Sequence, residues 1–391
     1  MGILGGNKDK GKLVLVFDIG SSSVGGALFL AQKSGVPKIV FSVREPIILE
    51  KDVNIERFFL LTTKALAIVA DRIHKSGVGA PKEIFCVLSP LWCVSQTRII
   101  KFEKNTPFVF SLKLADGLIQ KEKDLFKEEH LTKYLYSGAG SRLIEVKNIK
   151  TMINGYETSN PLNQKGVNLE MTIFLSMSGE KILGGIEETI RKNFSFKEIK
   201  FSSFPLSSFA VVRDIYAHEE DFLLINIDGE ITDISMIKKN ILHESISFPL
   251  GVNFLTREVA SLSDFSIGEA KSFVSLLKDE HASKSVVKKF DPVIDKLKME
   301  WLRKFQESLS NLCNDISIPA TIYLLIDREM ADFFSEVIKN EQFNQYTLTN
   351  SKFKIIFLGA EVFHGMAFFE ENVVRDSFLI INSIYINRFL I

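Results

Sequence analysis

The sequence predicts an α/β protein built from two similar lobes, with a small α+β module inserted in the first lobe. Two strand-and-turn elements lie about half a chain apart, at residues 16–29 and 221–248. Between them, residues 138–188 read as strand, polar loop, strand and helix, which is the pattern of a small α+β unit. A chain of 391 residues, 46% of them hydrophobic and 33 of them Phe, is long enough to give each part a core.

The first strand-and-turn element is VFDIGSSSVGGALF, residues 16–29. Its turn combines one carboxylate with small residues: Asp18, Gly20, Ser21, Ser22 and Ser23. Small residues let backbone N–H groups approach phosphate oxygens, and a neighbouring carboxylate can hold a cation or its waters. The same residues also suit a plain polar β-hairpin. The segment is neither a P-loop nor a dinucleotide fingerprint, because it lacks both glycine patterns.

The second element runs from a strand at Phe222–Ile227, through a turn at Asp228, Gly229 and Glu230, to renewed strand character at Ile231. After it, the segment DPVIDKLKMEWLRKFQESLSNLCNDI predicts a long helix, capped by Asp291, with Pro292 at its first position. Its apolar side chains recur at helical spacing and are interpreted as core: Ile294, Leu297, Trp301, Phe305, Leu309 and Leu312.

Composition narrows the classes of partner. Basic and acidic residues balance at 48 each, so the protein has no overall positive field that would attract nucleic acid. Nucleic acid is therefore not expected as a partner. The three Cys and six His show no CxxC or HExxH pattern, which argues against a metal cluster or a disulfide framework. The first residues, MGILGGNKDKGK, contain too short an apolar run for the hydrophobic region of a signal peptide, so a cytoplasmic location is expected.

Taken together, these motifs resemble the FtsA/PilM branch of the actin-like ATPase superfamily, over roughly residues 12–370. VFDIGSSSVGGALF is similar to the first phosphate motif of that superfamily. NIDGEITDISMIKKNILHESISFPLGVNFLTREVA is similar to the second, including the P-x-x-x-N-x-x-T stretch at Pro249, Asn253 and Thr256. INGYETSNPLNQKGVNLEMTIFL resembles the inserted domain of the branch, and its loop is closer to FtsA than to PilM.

The resemblance implies an α/β, two-lobed actin-like (ribonuclease H-like) fold with a small inserted α+β domain. It divides the chain into a flexible segment (1–11), a first lobe in two pieces (12–82 plus 202–220), and a partner-binding domain inserted between them (83–201). A second lobe (221–370) and an apolar C-terminal segment (371–391) follow. It further implies ATP and Mg²⁺ between the lobes. The cation would lie at Asp18, and the phosphates would lie near Asp18, Gly20, Ser21, Ser22, Ser23, Asn226, Gly229, Thr232 and Asp233.

Two of the three nucleotide motifs depart from the family pattern. The second phosphate loop, typically D-I-G-G-G-T-T-D, reads NIDGEITD here, so Asn226 replaces a carboxylate that would hold Mg²⁺ waters. Asp228 and Glu230 place negative charges where backbone should meet a polyanion. The glycine pair of the adenosine loop is replaced by Asp327 and Arg328, and Arg328 is interpreted as a solvent-facing residue. These departures favour weak or lost ATP binding.

Three functions follow from the resemblance. The first is a non-catalytic scaffold of bacterial cell division, which binds protein partners and self-associates into dimers or filaments. The second is a PilM-like cytoplasmic platform for type IV pilus assembly. The third is an active ATPase or sugar-kinase relative, which would need a catalytic carboxylate and a competent metal site.

The segment RDSFLIINSIYINRFLI admits two interpretations, because FtsA proteins end in an amphipathic helix that lies on the membrane. The membrane interpretation places residues 377–391 on the inner face of the cell membrane through apolar contact. The other interpretation packs them on the second lobe or leaves them disordered, because Asn382, Ser383 and Asn387 scatter among the apolar residues and leave no clean polar face.

Overall fold

The computed structural model describes residues 11–32, 35–52, 54–131, 140–276, 284–313, 317–339 and 352–390. Most of the predicted flexible segment 1–11, and the turn predicted near Gly138, lie outside these residues. The strands are β1 Lys12–Ile19, β2 Ser23–Ala31, β3 Lys38–Pro46, β4 Glu83–Leu88, β5 Val94–Val109, β6 Ser141–Ile153, β7 Tyr156–Glu157, β8 Lys165–Gly179, β9 Ile199–Ser203, β10 Phe222–Ile227, β11 Thr232–Lys238, β12 Ile241–Phe248, β13 Thr321–Ile326, β14 Lys354–Phe357 and β15 Phe368–Phe369. The helices are α1 Ile55–Lys75, α2 Leu112–Leu131, α3 Glu180–Arg191, α4 Phe204–Ile215, α5 Val252–Ser263, α6 Ile267–Leu276, α7 Lys284–Cys313, α8 Arg328–Lys339 and α9 Ser377–Phe389, with a 3-10 turn at Ala360–Phe363.

Two sheets with the same topology form the two lobes. The first has the order β15-β3-β2-β1-β4-β9, and the second has the order β12-β11-β10-β13-β14. In each, three antiparallel strands are followed by two parallel ones. The predicted pair of related lobes is therefore present, and each strand-and-turn element forms the central hairpin of its sheet.

The sheet of the first lobe is buried on both faces. The nearly continuous apolar run of its central strand β1 is typical of such a sheet. Leu15, Phe17 and Ile19 of β1 pack in a cluster with α1 and α3. Val14 and Val16 face the other way, into a cluster shared by α4, α9 and part of the second lobe's sheet. This shared core joins the two lobes below the cleft.

The inserted module is smaller than the sequence analysis assigned. Its own sheet has the order β5-β8-β6-β7, covered by α2 on one face. The predicted boundaries at residues 83 and 201 fall inside the six-stranded sheet, because β4 and β9 pair with the first lobe, and α3 packs on α1. The module thus spans about residues 94–179, and its flanks belong to the first lobe.

The apolar segment at residues 377–389 is a buried helix. Its apolar side chains lie in the shared core, with Ile381 and Ile386 wholly inaccessible to solvent. It packs on α4 and on β1 and β2, so it lies on the first lobe and not on the second as predicted. β15, at residues 368–369, also pairs with the first lobe, so the predicted limit of the second lobe at residue 370 is too late.

The long helix of the second lobe begins earlier than predicted. It starts at Lys284, so Pro292 lies inside the helix and not at its first position. The predicted apolar stripe is buried throughout: Ile294, Leu297, Trp301, Phe305, Leu309 and Leu312. No helix among the residues that the structure describes is long and apolar enough to cross a membrane.

Candidate nucleotide-binding cleft between the lobes

The first phosphate loop is the tight turn between β1 and β2. The amide of Gly20 donates to the Ser23 carbonyl at 3.1 Å, which closes the turn. Trp92 supports it from behind, because its indole N–H donates to the Gly20 carbonyl at 3.0 Å. The amides of Ser21 and Ser22 point out of the turn, toward the second lobe, as a phosphate cradle requires.

A carboxylate of the second lobe occupies this cradle. Asp228 Oδ2 accepts a hydrogen bond from the Ser21 amide at 2.6 Å, and Asp228 Oδ1 accepts one from the Ser22 amide at 3.0 Å. Oδ1 also accepts from the amide of Gly229 at 2.8 Å. The Asp228 side chain is about nine-tenths buried, so these bonds form away from bulk water. A negatively charged group of the protein thus takes the hydrogen bonds that a phosphate would take.

The two loops approach so closely that glycine is required at the contact. A Cβ on Gly229 would lie 2.6 Å from the Ser21 carbonyl oxygen and 2.7 Å from the Ser22 nitrogen. Within the second lobe, the turn before α5 packs equally closely on the second loop, because a Cβ on Gly251 would lie 2.2 Å from the Asp228 carbonyl oxygen. The Ser21 hydroxyl also accepts from the Glu230 amide at 2.9 Å. No gap remains between the loops at this point.

Glu230 forms a second link between the lobes. Its carboxylate accepts from both terminal nitrogens of Arg257, at 2.6 and 2.7 Å, and from the Asn253 amide group at 2.7 Å. Arg257 Nε donates in turn to the carbonyl of Glu50, in the first lobe, at 2.8 Å. The acidic residue that was expected to repel a polyanion is therefore neutralised by an arginine of α5.

Asp18, the predicted cation ligand, is bound to side chains of the protein. Arg44 donates to its Oδ2 at 2.8 Å, and Asn382 donates to its Oδ1 at 3.2 Å. Arg44 also pairs with Asp376, which caps α9. Burial raises the pKa of Asp18 to about 6, against the lowering effect of Arg44. At Asp376 the pair with Arg44 outweighs burial, so the pKa of Asp376 is lowered.

Of the remaining predicted residues, Ser23 begins β2 in the first hairpin, and the others belong to the second. Ser23 accepts a hydrogen bond from Arg44 at 2.9 Å, and Thr232 donates to the Leu250 carbonyl at 2.7 Å. Asn226 and Asp233 are register partners on β10 and β11, and both are buried. The side-chain oxygen of Asn226 has no hydrogen-bond partner among the described residues. Burial raises the pKa of Asp233 to about 7, although Ser247 donates to it at 2.6 Å.

The adenosine loop does not form a glycine-lined surface. Asp327 is the single residue between β13 and α8, Arg328 begins α8, and both side chains are exposed to solvent. The interpretation of Arg328 as a surface residue is confirmed. This helix start occupies the place at which the resemblance implies contact with adenosine.

These residues do not fit ATP and Mg²⁺ in this arrangement. Asp228 occupies the phosphate cradle, and Asp18 is held by Arg44 and Asn382 instead of facing an open cation position. Among the described residues, no group of three or more His, Cys, Asp and Glu side chains is placed to hold a metal ion. The structure brings together the two predicted phosphate loops, but it joins them directly to each other.

Sequence reasoning missed the two cations of this site and the second carboxylate that one of them binds. Arg44, Arg257 and Asp376 were not singled out, although two acidic residues in a buried turn require cations close by. Arg257 directly follows the P-x-x-x-N-x-x-T stretch, so its position was a usable signal. Arg44 and Asp376 carried no such signal, because each comes from a separate apolar element.

This topology is the two-lobed actin-like fold, and comparison with known proteins agrees. No protein-family model matches the chain, and no curated protein sequence matches it. Among solved structures, the chain is similar to one from a PilM-PilN type IV pilus biogenesis complex, at 13% identity over 95% of this chain and 97% of that chain, with a TM-score of 0.60. It is less similar to the ethanolamine utilization protein EutJ from Carboxydothermus hydrogenoformans, at 9% identity over 98% of this chain and 92% of that chain, with a TM-score of 0.44. At these identities the likeness to the PilM-PilN structure shows the fold alone.

Proposed function

We propose that the protein is an actin-like scaffold that works through protein partners and does not turn over ATP. The observation that carries this proposal is the carboxylate of Asp228 on the amides of Ser21 and Ser22. An active ATPase of this fold would need those amides for phosphate and a free carboxylate for the cation. Both are engaged by protein groups, so the class of active ATPases and sugar kinases is the least supported of the three.

A PilM-like platform is the scaffold role that we favour over cell division. The division role drew on the loop NPLNQKGVNLE and on a membrane contact through residues 377–391. The described apolar side chains of α9 lie in the core that the lobes share, so this part of the helix offers no apolar face to a membrane. The likeness to a chain of the PilM-PilN complex supports a platform that binds another protein of pilus assembly.

A groove between the inserted module and the first lobe is suited to that partner. It has a volume of about 370 Å³ and is lined by β6 on one side and β9 on the other. β9 is the last strand of its sheet among the described residues, and β6 is covered on its outer side only by the two residues of β7. Unpaired strand edges accept extended segments through main-chain hydrogen bonds. An extended segment of a partner protein is therefore the expected occupant.

Glu145 fixes the position of the groove. It is buried and accepts from the Ser203 amide at 3.1 Å, the Ser203 hydroxyl at 2.9 Å and the Tyr385 hydroxyl at 2.7 Å. These contacts join β6 of the module to the end of β9 and to α9 of the first lobe. The two walls are thereby held in a fixed relation, which lowers the ordering cost of binding.

Site-specific crosslinking in the host cell tests the partner role. A photoreactive residue in place of Lys200, in the groove, is expected to capture one pilus assembly protein. The same residue in place of Lys75, at the end of α1, is the control and should not capture it. Deletion of the gene should abolish surface pili and leave cell length unchanged. Filamentous cells with normal pili, or capture of division proteins from the groove, would contradict the platform role.

A further inference from the structure

The cradle at Ser21 and Ser22 is a complete anion site that the protein fills itself. Two backbone amides of the first lobe converge on one carboxylate of the second, at 2.6 and 3.0 Å. The carboxylate has no lysine or arginine partner among the described residues, in contrast to Glu230, which is paired with Arg257. The hydrogen bonds from the amides are thus what stabilises the charge of Asp228 in this buried place.

We propose that Asp228 is a built-in substitute for a phosphate group, which keeps the two lobes closed without any ligand and blocks an otherwise intact phosphate site. The proposal stands on the geometry of the two loops and does not depend on the partner proposed above. It accounts for the joint presence of an unaltered first loop and an altered second one. The first loop keeps its shape because it still binds an anion.

External phosphate is excluded from the intact site for two reasons. Asp228 is tethered, so its effective concentration at the amides exceeds any ordinary concentration of free phosphate. Its negative charge also repels a second anion, and its Oδ2 lies only 3.0 Å from the position that a Cβ on Gly20 would take. Removal of the Asp228 side chain would leave the amides of Ser21 and Ser22 without a partner and open the space beside them.

The test measures binding of inorganic phosphate by isothermal titration, with chloride at matched ionic strength as the reference. The intact protein is expected to show no saturable binding, and Asp228→Gly is expected to bind phosphate at least about tenfold more tightly. Asp71→Asn is the matched control, because it also removes one negative charge, at an exposed position on α1, and leaves Asp228 on the amides. It should behave as the intact protein does.

Two results would overturn the proposal. One is a folded Asp228→Gly protein that binds phosphate no better than the intact protein does. The other is equal binding by Asp71→Asn, which would make the effect one of overall charge.

A second measurement covers the case in which Asp228→Gly fails to fold. In Asp228→Asn, the amide group keeps the shape of the carboxylate but turns an N–H toward one of the two donors. The contact should then open more often, so hydrogen exchange at the Ser21 and Ser22 amides should be at least about tenfold faster than in the intact protein. The Gly20 amide, which is bonded within its own turn, serves as the internal reference. Unchanged exchange at Ser21 and Ser22 would refute the proposal.

Discussion

The guanidinium of Arg44 lies 2.8 Å from the carboxylate of Asp18, so the residue expected to hold a metal cation is held by a cation of the protein. Asp18 is buried, and Arg44 is about one-quarter exposed. Arg44 pairs at the same time with Asp376, at the start of α9. The first phosphate loop is in this way connected to α9, whose apolar side chains lie in the core that the two lobes share.

Replacement of Arg44 by Met should destabilise the protein strongly. The change leaves two buried carboxylates without their shared cation, and loss of one partner of a buried pair costs about 3–5 kcal/mol. Urea denaturation measures the effect. Arg57→Met, which breaks an exposed pair with Glu50, is the control and should change stability little. Equal effects of the two substitutions would argue against a structural role for the Asp18–Arg44 pair.

Asp233 should make the protein more stable in mild acid than in base. Its pKa is about 7 in the folded protein against 3.8 for a solvated Asp, so the folded state retains a proton that the unfolded state has lost. Asp233 therefore lowers the free energy of unfolding increasingly as pH rises from about 4 to about 7. The loss reaches a few kcal/mol and is constant above that range. Asp233→Asn, which removes the charge, should therefore flatten the dependence of unfolding free energy on pH.

Denaturation of both proteins at pH 5, 6, 7 and 8 measures this difference. Asp71→Asn, an exposed substitution on α1, is the control and should leave the pH profile of the intact protein unchanged. Parallel profiles for the intact protein and Asp233→Asn would show that Asp233 ionises normally.

Substitution of Gly251 by Ala should displace the second phosphate loop from its place against the start of α5. The backbone angles of Gly251 suit any residue, but its Cβ would meet backbone atoms of Asp228 and Gly229 at 2.2 to 2.6 Å. Such overpacking costs about 1–3 kcal/mol, because backbone cannot move aside as a flexible side chain can. Gly184→Ala in α3, where a Cβ meets nothing within 4 Å, should instead stabilise by about 0.5–1 kcal/mol. A neutral Gly251→Ala protein would contradict the close packing of Gly251 against the second phosphate loop.

The helix α9 should act as core and not as a membrane anchor. Ile381→Ala removes a wholly buried side chain and should cost about 2–5 kcal/mol. Val374→Ala, at a position that is 69% exposed, should cost almost nothing. In liposome flotation the intact protein should stay in the unbound fraction. Flotation that Ile381→Ala reduces, without loss of stability, would restore the membrane interpretation.

Local patterns predicted the parts of this fold that depend on neighbouring residues. The two hairpins follow from apolar runs that meet turn residues, and the α7 stripe follows from helical spacing. The module boundaries at 83 and 201 were wrong, because an apolar strand such as β4 or β9 does not reveal which sheet it joins. The polar residues of α9 were misleading for a related reason, because a helix buried on all sides has no polar face.

The candidate site was predictable only in its anionic half. Asp228 and Glu230 stand out in NIDGEITD as charges in a turn that should be neutral. Their partners come from elsewhere in the chain: Arg257 lies 27 residues from Glu230, and Asn382 lies 364 residues from Asp18. Such contacts depend on how the lobes meet, which no local pattern encodes. The sequence therefore suggested that ATP binding is impaired but did not reveal that a side chain fills the phosphate position.

Titration of the intact protein with ATP and Mg²⁺ tests the central claim most directly. If Asp228 fills the phosphate cradle and Arg44 holds Asp18, isothermal titration calorimetry should show no saturable heat up to about 1 mM ATP, which corresponds to a binding free energy weaker than about −4 kcal/mol. Saturable binding in the micromolar range that Asp18→Asn abolishes would contradict the account, because it would mean that the two loops separate readily and accept a nucleotide.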